Sequence, residues 1–257
     1  MEPLFDLTGR VAVVTGGSKG IGKQIVLDLA GAGADVVVVS RHLEESQAVA
    51  DEVIQKGRKG LALRADVGEV ADCEALVKKT VESFGRLDIL VNNAGMNQRG
   101  PLLDVVEPQF DRILAVDLKG LFFCSQFAAR EMMERKKGRI VNITSAAAVI
   151  GVPVLGIYCA AKAAAAQLTK VCALEWAQYG ITVNAVGPYY IRTDINKDFL
   201  AVKENHDRIV SKAAIKRLGD PVDLTGTLLL LASDAGAYIT GQSFYVDGGS
   251  MAGWPLP

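Results

Sequence analysis

Short β-branched runs alternate along this chain with longer stretches whose apolar residues recur every three or four positions. Val11–Val14 reads as a buried strand, followed by a glycine turn and a helix from about Ile21 to Ala30. Val36–Val39 predicts a second strand and Leu43–Lys56 the next helix. Gly60–Ala65 and Leu87–Val91 predict two more strands, with a helix over Val70–Phe84 between them. A long helix is expected from Pro108 to Lys136, since proline suits a first helical turn. Ile140–Ile143 and Thr182–Val186 predict the fifth and sixth strands, with a helix carrying Tyr158 between them. Asp220-Pro221 reads as a cap and first turn opening a helix through Leu228–Leu231, before a last strand at Phe244–Val246. Nearly unbroken apolar strands alternating with helices predict a parallel sheet of about seven strands covered on both faces. That is a doubly wound α/β fold. No linker, repeat or low-complexity run interrupts residues 1–257, so one domain is expected.

Composition narrows the function classes. Half of the 257 residues are apolar, 22% are charged and the net charge is −1. Such a balance leaves no electrostatic footprint for nucleic acid or an anionic membrane, and neither is expected as a partner. Asp6 and Arg10 place charge early in the chain, so no signal peptide is expected. The weakly polar run Ala146–Ala161 is broken by Gly151, Pro153 and Gly156, which argues against a membrane span. Four cysteines (Cys73, Cys124, Cys159, Cys172) lack CxxC spacing, and only His42 and His206 could join them, so no metal site is expected. Free thiols in the reducing cytoplasm are the default, although Cys159 beside Tyr158 could meet electrophiles.

The first turn carries candidate chemistry. In Thr15-Gly16-Gly17-Ser18-Lys19-Gly20-Ile21-Gly22 the glycines at 16, 20 and 22 form a variant dinucleotide fingerprint between strand and helix. Glycines let the backbone turn tightly and approach a pyrophosphate, whose charge is favoured at a helix N-terminus. A carboxylate about 20 positions after the glycines would bind the ribose 2′-hydroxyl of NAD. Ser40-Arg41 stands there instead, with no carboxylate before Glu44. A serine and a guanidinium suit a 2′-phosphate, and Lys19 adds a cation, so NADP(H) is expected over NAD(H). The alternative is two solvated surface cations.

A second constellation lies at Ser145 and Tyr158-Cys159-Ala160-Ala161-Lys162, the serine thirteen residues before the tyrosine. On a helix, i and i+4 share a face, so Tyr158 and Lys162 point the same way. A phenol is a weak acid, and an ammonium held beside one favours the phenolate. Taken alone, the pair could equally be an ordinary surface Tyr and Lys.

Together with Asn92-Asn93-Ala94-Gly95 after the fourth strand, these motifs make the chain resemble the short-chain dehydrogenase/reductase family over its whole length. The resemblance implies a Rossmann fold and hydride transfer between a nicotinamide and a secondary alcohol or ketone. It assigns proton transfer at the substrate oxygen to Tyr158, orientation of that oxygen to Ser145, and the nicotinamide ribose to Lys162. Asp66 and Val67 fall at the adenine position, Asn92, Asn93, Ala94 and Gly95 beside the cofactor, and Pro188, Ile191 and Thr193 near the nicotinamide and phosphates. For Asn92, Asp66 and Thr193 a turn or capping role is the alternative.

Two positions depart from the family pattern. Val116-Asp117-Leu118-Lys119-Gly120 carries an acid where the family has an asparagine supporting a proton relay. Such a buried acid would either pair with Lys162 or take up a proton. Pro188-Tyr189 replaces the usual Pro-Gly, and the ring would narrow the substrate entrance. The residues from 189 to 218 correspond to a mobile, substrate-recognising lid, or else to an ordinary surface connection.

Local features resemble the gluconate 5-dehydrogenase-like branch: Leu4-Phe5-Asp6-Leu7, Arg99, Glu175-Trp176-Ala177-Gln178, and Tyr245-Val246-Asp247-Gly248-Gly249 with Trp254. A sugar acid or polyol is therefore the expected substrate, with Arg99 binding its carboxylate and Tyr189 at the entrance. The alternatives are a 3-oxoacyl-[acyl-carrier-protein] reductase, with Arg135-Lys136-Lys137 and Arg139 as a docking cluster, and a general carbonyl reductase. A dinucleotide sensor without turnover would not need Ser145, Tyr158 and Lys162 together. The resemblance also implies a homotetramer, with the alanines of Ala160–Ala166 allowing close helix packing.

Overall fold

The expected strands pair into one sheet in the computed structural model, which describes residues 4–253. They are β1 (Val11–Thr15), β2 (Asp35–Ser40), β3 (Gly60–Arg64), β4 (Ile89–Asn92), β5 (Gly138–Ile143), β6 (Ile181–Pro188) and β7 (Ser243–Val246). All neighbours run parallel, in the order β3-β2-β1-β4-β5-β6-β7. Around the sheet lie α1 (Gly20–Gly31), α2 (Leu43–Gln55), α3 (Val70–Phe84), α4 (Glu107–Leu114), α5 (Leu121–Arg135) and α6 (Gly156–Trp176). Further along are α7 (Lys197–Ala201), α8 (Lys203–Lys212) and α9 (Thr225–Ala232).

The unbroken apolar strands need cover on both sides because successive side chains point to opposite faces. Ala12, Val14, Val36 and Val38 pack with Ile25, Leu29, Val49 and Leu228 from α1, α2 and α9. Their neighbours Val11, Val13, Val37 and Val39 pack with Leu76, Val77, Cys124 and Met132 from α3 and α5. Each large side chain so buried contributes about 1.5–3 kcal/mol. The strand order reverses between β1 and β4, and their carboxyl ends open a crevice of the kind where ligands bind in such sheets. All four cysteines are free thiols, and burial pushes Cys172 up to about 11.

Two segments differ from their sequence reading. The expected helix from Pro108 to Lys136 is interrupted by a π-helical turn at Ala115–Gly120. The turn carries a polar feature that apolar periodicity does not show: Asp117 is buried there, accepting from Met96 N and ion-paired with Lys162. Gly120 also packs so closely that a Cβ there would stand 2.5 Å from the Val67 carbonyl oxygen. In the segment 189–218, which carries few regular signals, α7 and α8 form nonetheless, with Ile209 and Ala213 supplying the buried contacts beneath a charged face.

The amino end of the sheet is closed by charge. Asp234 pairs with Arg10, with Lys137 at 3.2 Å and with Arg139 at 3.0 Å, and Arg139 is itself buried. Among the described residues no helix is long and apolar enough to cross a membrane.

Candidate active site

A cleft of about 500 Å³ runs along the carboxyl ends of the strands. It is lined by Gly16, Ser18, Lys19, Gly20, Ile21 and Gly22 from the glycine turn. That turn is shaped for close backbone approach. Gly16 and Gly20 have φ of +63° and +53°, and a Cβ on Gly22 would lie 2.0 Å from the Gly16 carbonyl oxygen. No side chain caps α1 and no acid stands in its first turn, so its leading N–H groups are left for an anion at the cleft. Asn93 ties the turn to the loop after β4, its Nδ2 donating to the Thr15 and Gly16 carbonyls at 3.0 Å. The Thr15 hydroxyl accepts from Asn93 N and Ala94 N at 3.1 Å. A diphosphate fits this cradle, since no side chain stands at Gly16, Gly20 or Gly22 to keep it from the backbone.

Ser145, Tyr158 and Lys162 line the same cleft. Ser145 sits just beyond β5, and its Oγ accepts from Ala147 N at 3.1 Å, which fixes the rotamer and leaves the hydroxyl hydrogen uncommitted. Tyr158 lies in the first turn of α6, with Lys162 Nζ 5.5 Å from its ring centre. Lys162 is buried, donates to the Ile143 carbonyl at 3.1 Å and stands 3.0 Å from Asp117 Oδ1. The other Asp117 oxygen accepts from Met96 N at 2.9 Å. Of the two outcomes open for Asp117, the geometry is that of a pair. Burial alone would lower the Lys162 value; the Asp117 carboxylate, with help from Tyr158, more than offsets it and holds the lysine above its ordinary range. Gly95 closes over this pair, and a Cβ there would fall 2.9 Å from Asp117 Oδ1.

Ser40, Arg41, Asp66 and Val67 also line the cleft, together with residues the spacing did not single out. Lys19 is not a free cation: its Nζ donates to Glu45 Oε1 at 2.7 Å. Asp66 is not free either, accepting from Arg112 at 2.7 Å and from Gly68 N at 2.9 Å. Glu45 and Arg112 both line the cleft. Each comes from a helix distant in sequence from the glycine turn, so no local motif announces it.

Asn92 requires a correction. It is buried away from the cleft, donating to Ser125 Oγ at 2.8 Å and Asn142 Oδ1 at 2.9 Å, and so ties β4 to β5 and α5. Thr193 and Ile191 stay at the cleft, Thr193 with its methyl against the space above Gly20. Pro188 ends β6 there.

At the substrate end, Arg99 lies exposed in the cleft wall, its guanidinium 3.9 Å from the centre of the Phe199 ring in α7 and 3.5 Å from the Tyr190 hydroxyl. Tyr189 is half-buried, edge-on to Tyr190 at 5.0 Å, and burial pushes its hydroxyl up. No left-handed backbone is needed at this position: Lys136 and Val154 alone, among described non-glycine residues, have positive φ. Val154, at φ 63°, accepts from Gly100 N at 3.0 Å, and Leu102 packs where a Cβ on Gly156 would sit. The loop after β4 and the loop before α6 are thereby locked together. The basic run from Arg135 to Arg139 lies at the opposite end of the sheet, where β5 begins. Trp254 lies outside the described residues.

The family model described as enoyl-(acyl carrier protein) reductase matches residues 16–251. A 3-oxoacyl-[acyl-carrier-protein] reductase of Synechocystis is 40% identical over 247 residues, 95% of this chain and 98% of the relative. The BbsD subunit of (2S)-[(R)-hydroxy(phenyl)methyl]succinyl-CoA dehydrogenase of Thauera aromatica is also 40% identical, over 95% of this chain and 97% of its own. Among solved structures, a gluconate 5-dehydrogenase from Burkholderia cenocepacia, in complex with NADP and tartrate, superposes with a TM-score of 0.94 at 34% identity. That match covers 97% of this chain and 98% of the other. Sequence, sheet order and cleft agree: this chain belongs to the short-chain dehydrogenase/reductase family and is an NAD(P)-dependent oxidoreductase of CH–OH groups.

Proposed function

We propose that the chain interconverts a secondary alcohol and a ketone on a sugar acid or related polyol, with NADP(H) as its preferred dinucleotide. The observation that carries the substrate class is Arg99, a guanidinium set in the cleft wall beside Tyr189 and Tyr190. Held by the Phe199 ring, it offers a planar pair of donors suited to a carboxylate. The gluconate 5-dehydrogenase that superposes on this chain was solved with tartrate, a hydroxy dicarboxylate, and NADP.

The glycine turn and the N-terminus of α1 would hold the dinucleotide phosphates, Lys19 and Arg41 the 2′-phosphate, Asp66 and Val67 the adenine side, and Asn93, Ala94, Gly95, Pro188, Ile191 and Thr193 the remainder. When bound, the nicotinamide supplies the hydride acceptor or donor. Tyr158 Oη moves the proton to or from the substrate oxygen. Ser145 directs its free hydroxyl hydrogen at that oxygen. Lys162 gives one donor to the Ile143 carbonyl and is ion-paired to Asp117, and its ammonium lines the cleft with donor capacity to spare. Met96, Leu155 and Tyr189 wall the reacting end against water. A panel of gluconate, its 5-keto product and neutral polyols with NADP(H) and NAD(H), followed at the nicotinamide absorbance, tests the reading. Equal activity of wild type and Arg99→Ala on the acids would end it.

A second reading, reduction of 3-oxoacyl thioesters, is favoured by the 40% identity to the Synechocystis reductase. The Arg135–Arg139 run gives it no support, because it faces away from the cleft and Arg139 and Lys137 are engaged by Asp234. Reduction of an acetoacetyl thioester without activity on sugar acids would reverse the order. A homotetramer is also proposed, from Val171 and Leu174 exposed on α6 and from the open edge of β7. Light scattering on the purified protein decides it.

A further inference from the structure

At the adenosine end of the cleft, beside Asp66 with its Arg112 partner, a second carboxylate stands among cations and hydroxyls. Glu45, in the first turn of α2, lines the cleft together with Ser18, Lys19, Ser40 and Arg41. Its Oε1 accepts from Lys19 Nζ at 2.7 Å, and its Oε2 from the Ser18 hydroxyl at 3.4 Å. The two residues of the glycine turn best placed to meet a ribose phosphate thus already have an anionic partner, delivered by a different helix.

Two ligands meet this corner differently. A ribose 2′-phosphate carries about −1.5 to −2 charges near neutral pH. It must compete with Glu45 for Lys19 and Ser18, and the carboxylate repels it. A 2′-hydroxyl is neutral and can donate to Glu45 while the Lys19 pair stays intact. Arg41 is exposed and, among the described residues, pairs directly with no carboxylate, although Asp66 feels its charge; it favours the phosphate. The corner therefore holds opposing preferences.

We infer that Glu45 is a specificity-determining residue, holding the selectivity for NADP(H) over NAD(H) below the level that Lys19 and Arg41 alone would set. The inference rests on the dinucleotide reading above, but the direction of the effect does not depend on which dinucleotide wild type prefers. Lys19 is 62% exposed, so the pair is screened and the effect is several-fold rather than many orders.

The test is direct binding to the full chain, with NADPH and NADH dissociation constants from nicotinamide fluorescence. Glu45→Gln is expected to tighten NADPH by about three- to tenfold and to leave NADH unchanged or weaker, as screened charge contacts allow. Glu45→Ala must move the ratio the same way. In a Lys19→Met background most of that gain is expected to vanish, because the freed lysine is its source. If wild type binds NADH more tightly than NADPH, the NADP(H) preference falls, yet Glu45→Gln must still shift the ratio towards NADPH. An unchanged ratio in both Glu45 variants, or a shift towards NADH, overturns the inference.

Discussion

The two ends of the sheet use the same chemical groups for opposite ends. At the amino end Asp234 gathers Arg10, Lys137 and Arg139, and Asp88 takes Arg86 at 2.6 Å and Val11 N at 2.9 Å. At the carboxyl end the pairs are Lys162 with Asp117, Lys19 with Glu45 and Arg112 with Asp66. The first set pins the starts of strands and borders no cleft described here. The second set borders the cleft, which Lys162, Lys19, Glu45, Arg112 and Asp66 line. Charge density alone therefore does not mark the working end. Position beside a cavity does.

The sharpest way to separate the two ends is Tyr158→Phe, which removes one hydroxyl. Turnover is expected to fall by about 10²- to 10⁴-fold, the usual contribution of a positioned proton donor. The thermal midpoint and dinucleotide affinity should stay near wild type; substantial remaining turnover would remove Tyr158 from the mechanism. Arg99→Ala comes next, with a loss of about 10- to 100-fold in kcat/KM on carboxylate substrates, from losing a charge-assisted hydrogen bond. Neutral polyols should be nearly unaffected, and equal losses on both would argue for a mere lid contact.

Asp234→Ala should do the reverse. It leaves Arg139 buried without its partner, and because Asp234 is 40% exposed the cost is about 1–3 kcal/mol rather than that of a fully buried pair. Urea denaturation reads that loss, while kcat/KM should not move. Of the three changes at the carboxyl end, Asp117→Asn has the smallest expected effect on turnover. The amide can still accept from Met96 N, but burial then acts on Lys162 without a counter-charge. Its ammonium is lost at lower pH, so the alkaline limb of the activity profile moves down. The sign for stability follows from the same raised value. In wild type the pair's contribution is fully present below the ordinary lysine value of 10.5 and is lost as pH rises through the higher folded value. An unmoved pH profile in the variant would place Asp117 outside the proton path.

Much of this was legible in the sequence because it is written in local spacing. Strand periodicity gave seven parallel strands, the glycine turn gave the cradle, and Tyr158 and Lys162 share a helical face as their i, i+4 spacing requires. What stayed hidden depends on long-range meetings. Glu45 and Arg112 reach the adenosine corner from α2 and α4, and neither lies within a motif. Asn92 reads as a cofactor neighbour because the family resemblance sets the Asn92–Gly95 motif there, yet its side chain bonds into the core beside β4. The Arg135–Arg139 cluster invites a docking role, and only the strand direction sets it at the end of the sheet opposite the cleft. The break at Ala115–Gly120 coincides with one buried acid, which no apolar period can announce.

The left-handed Val154 has a practical corollary for transplanting substrate preference. A β-branched residue at positive φ costs about 1–3 kcal/mol unless neighbours enforce it. Here the enforcing group is Gly100 N–H, with Leu102 filling the space beside Gly156. The segments 95–102 and 149–156 therefore behave as one interchangeable cassette. Chimeras that exchange both with a relative should retain the shape of the substrate end. Those that exchange only one should lose it, whatever side chains they import.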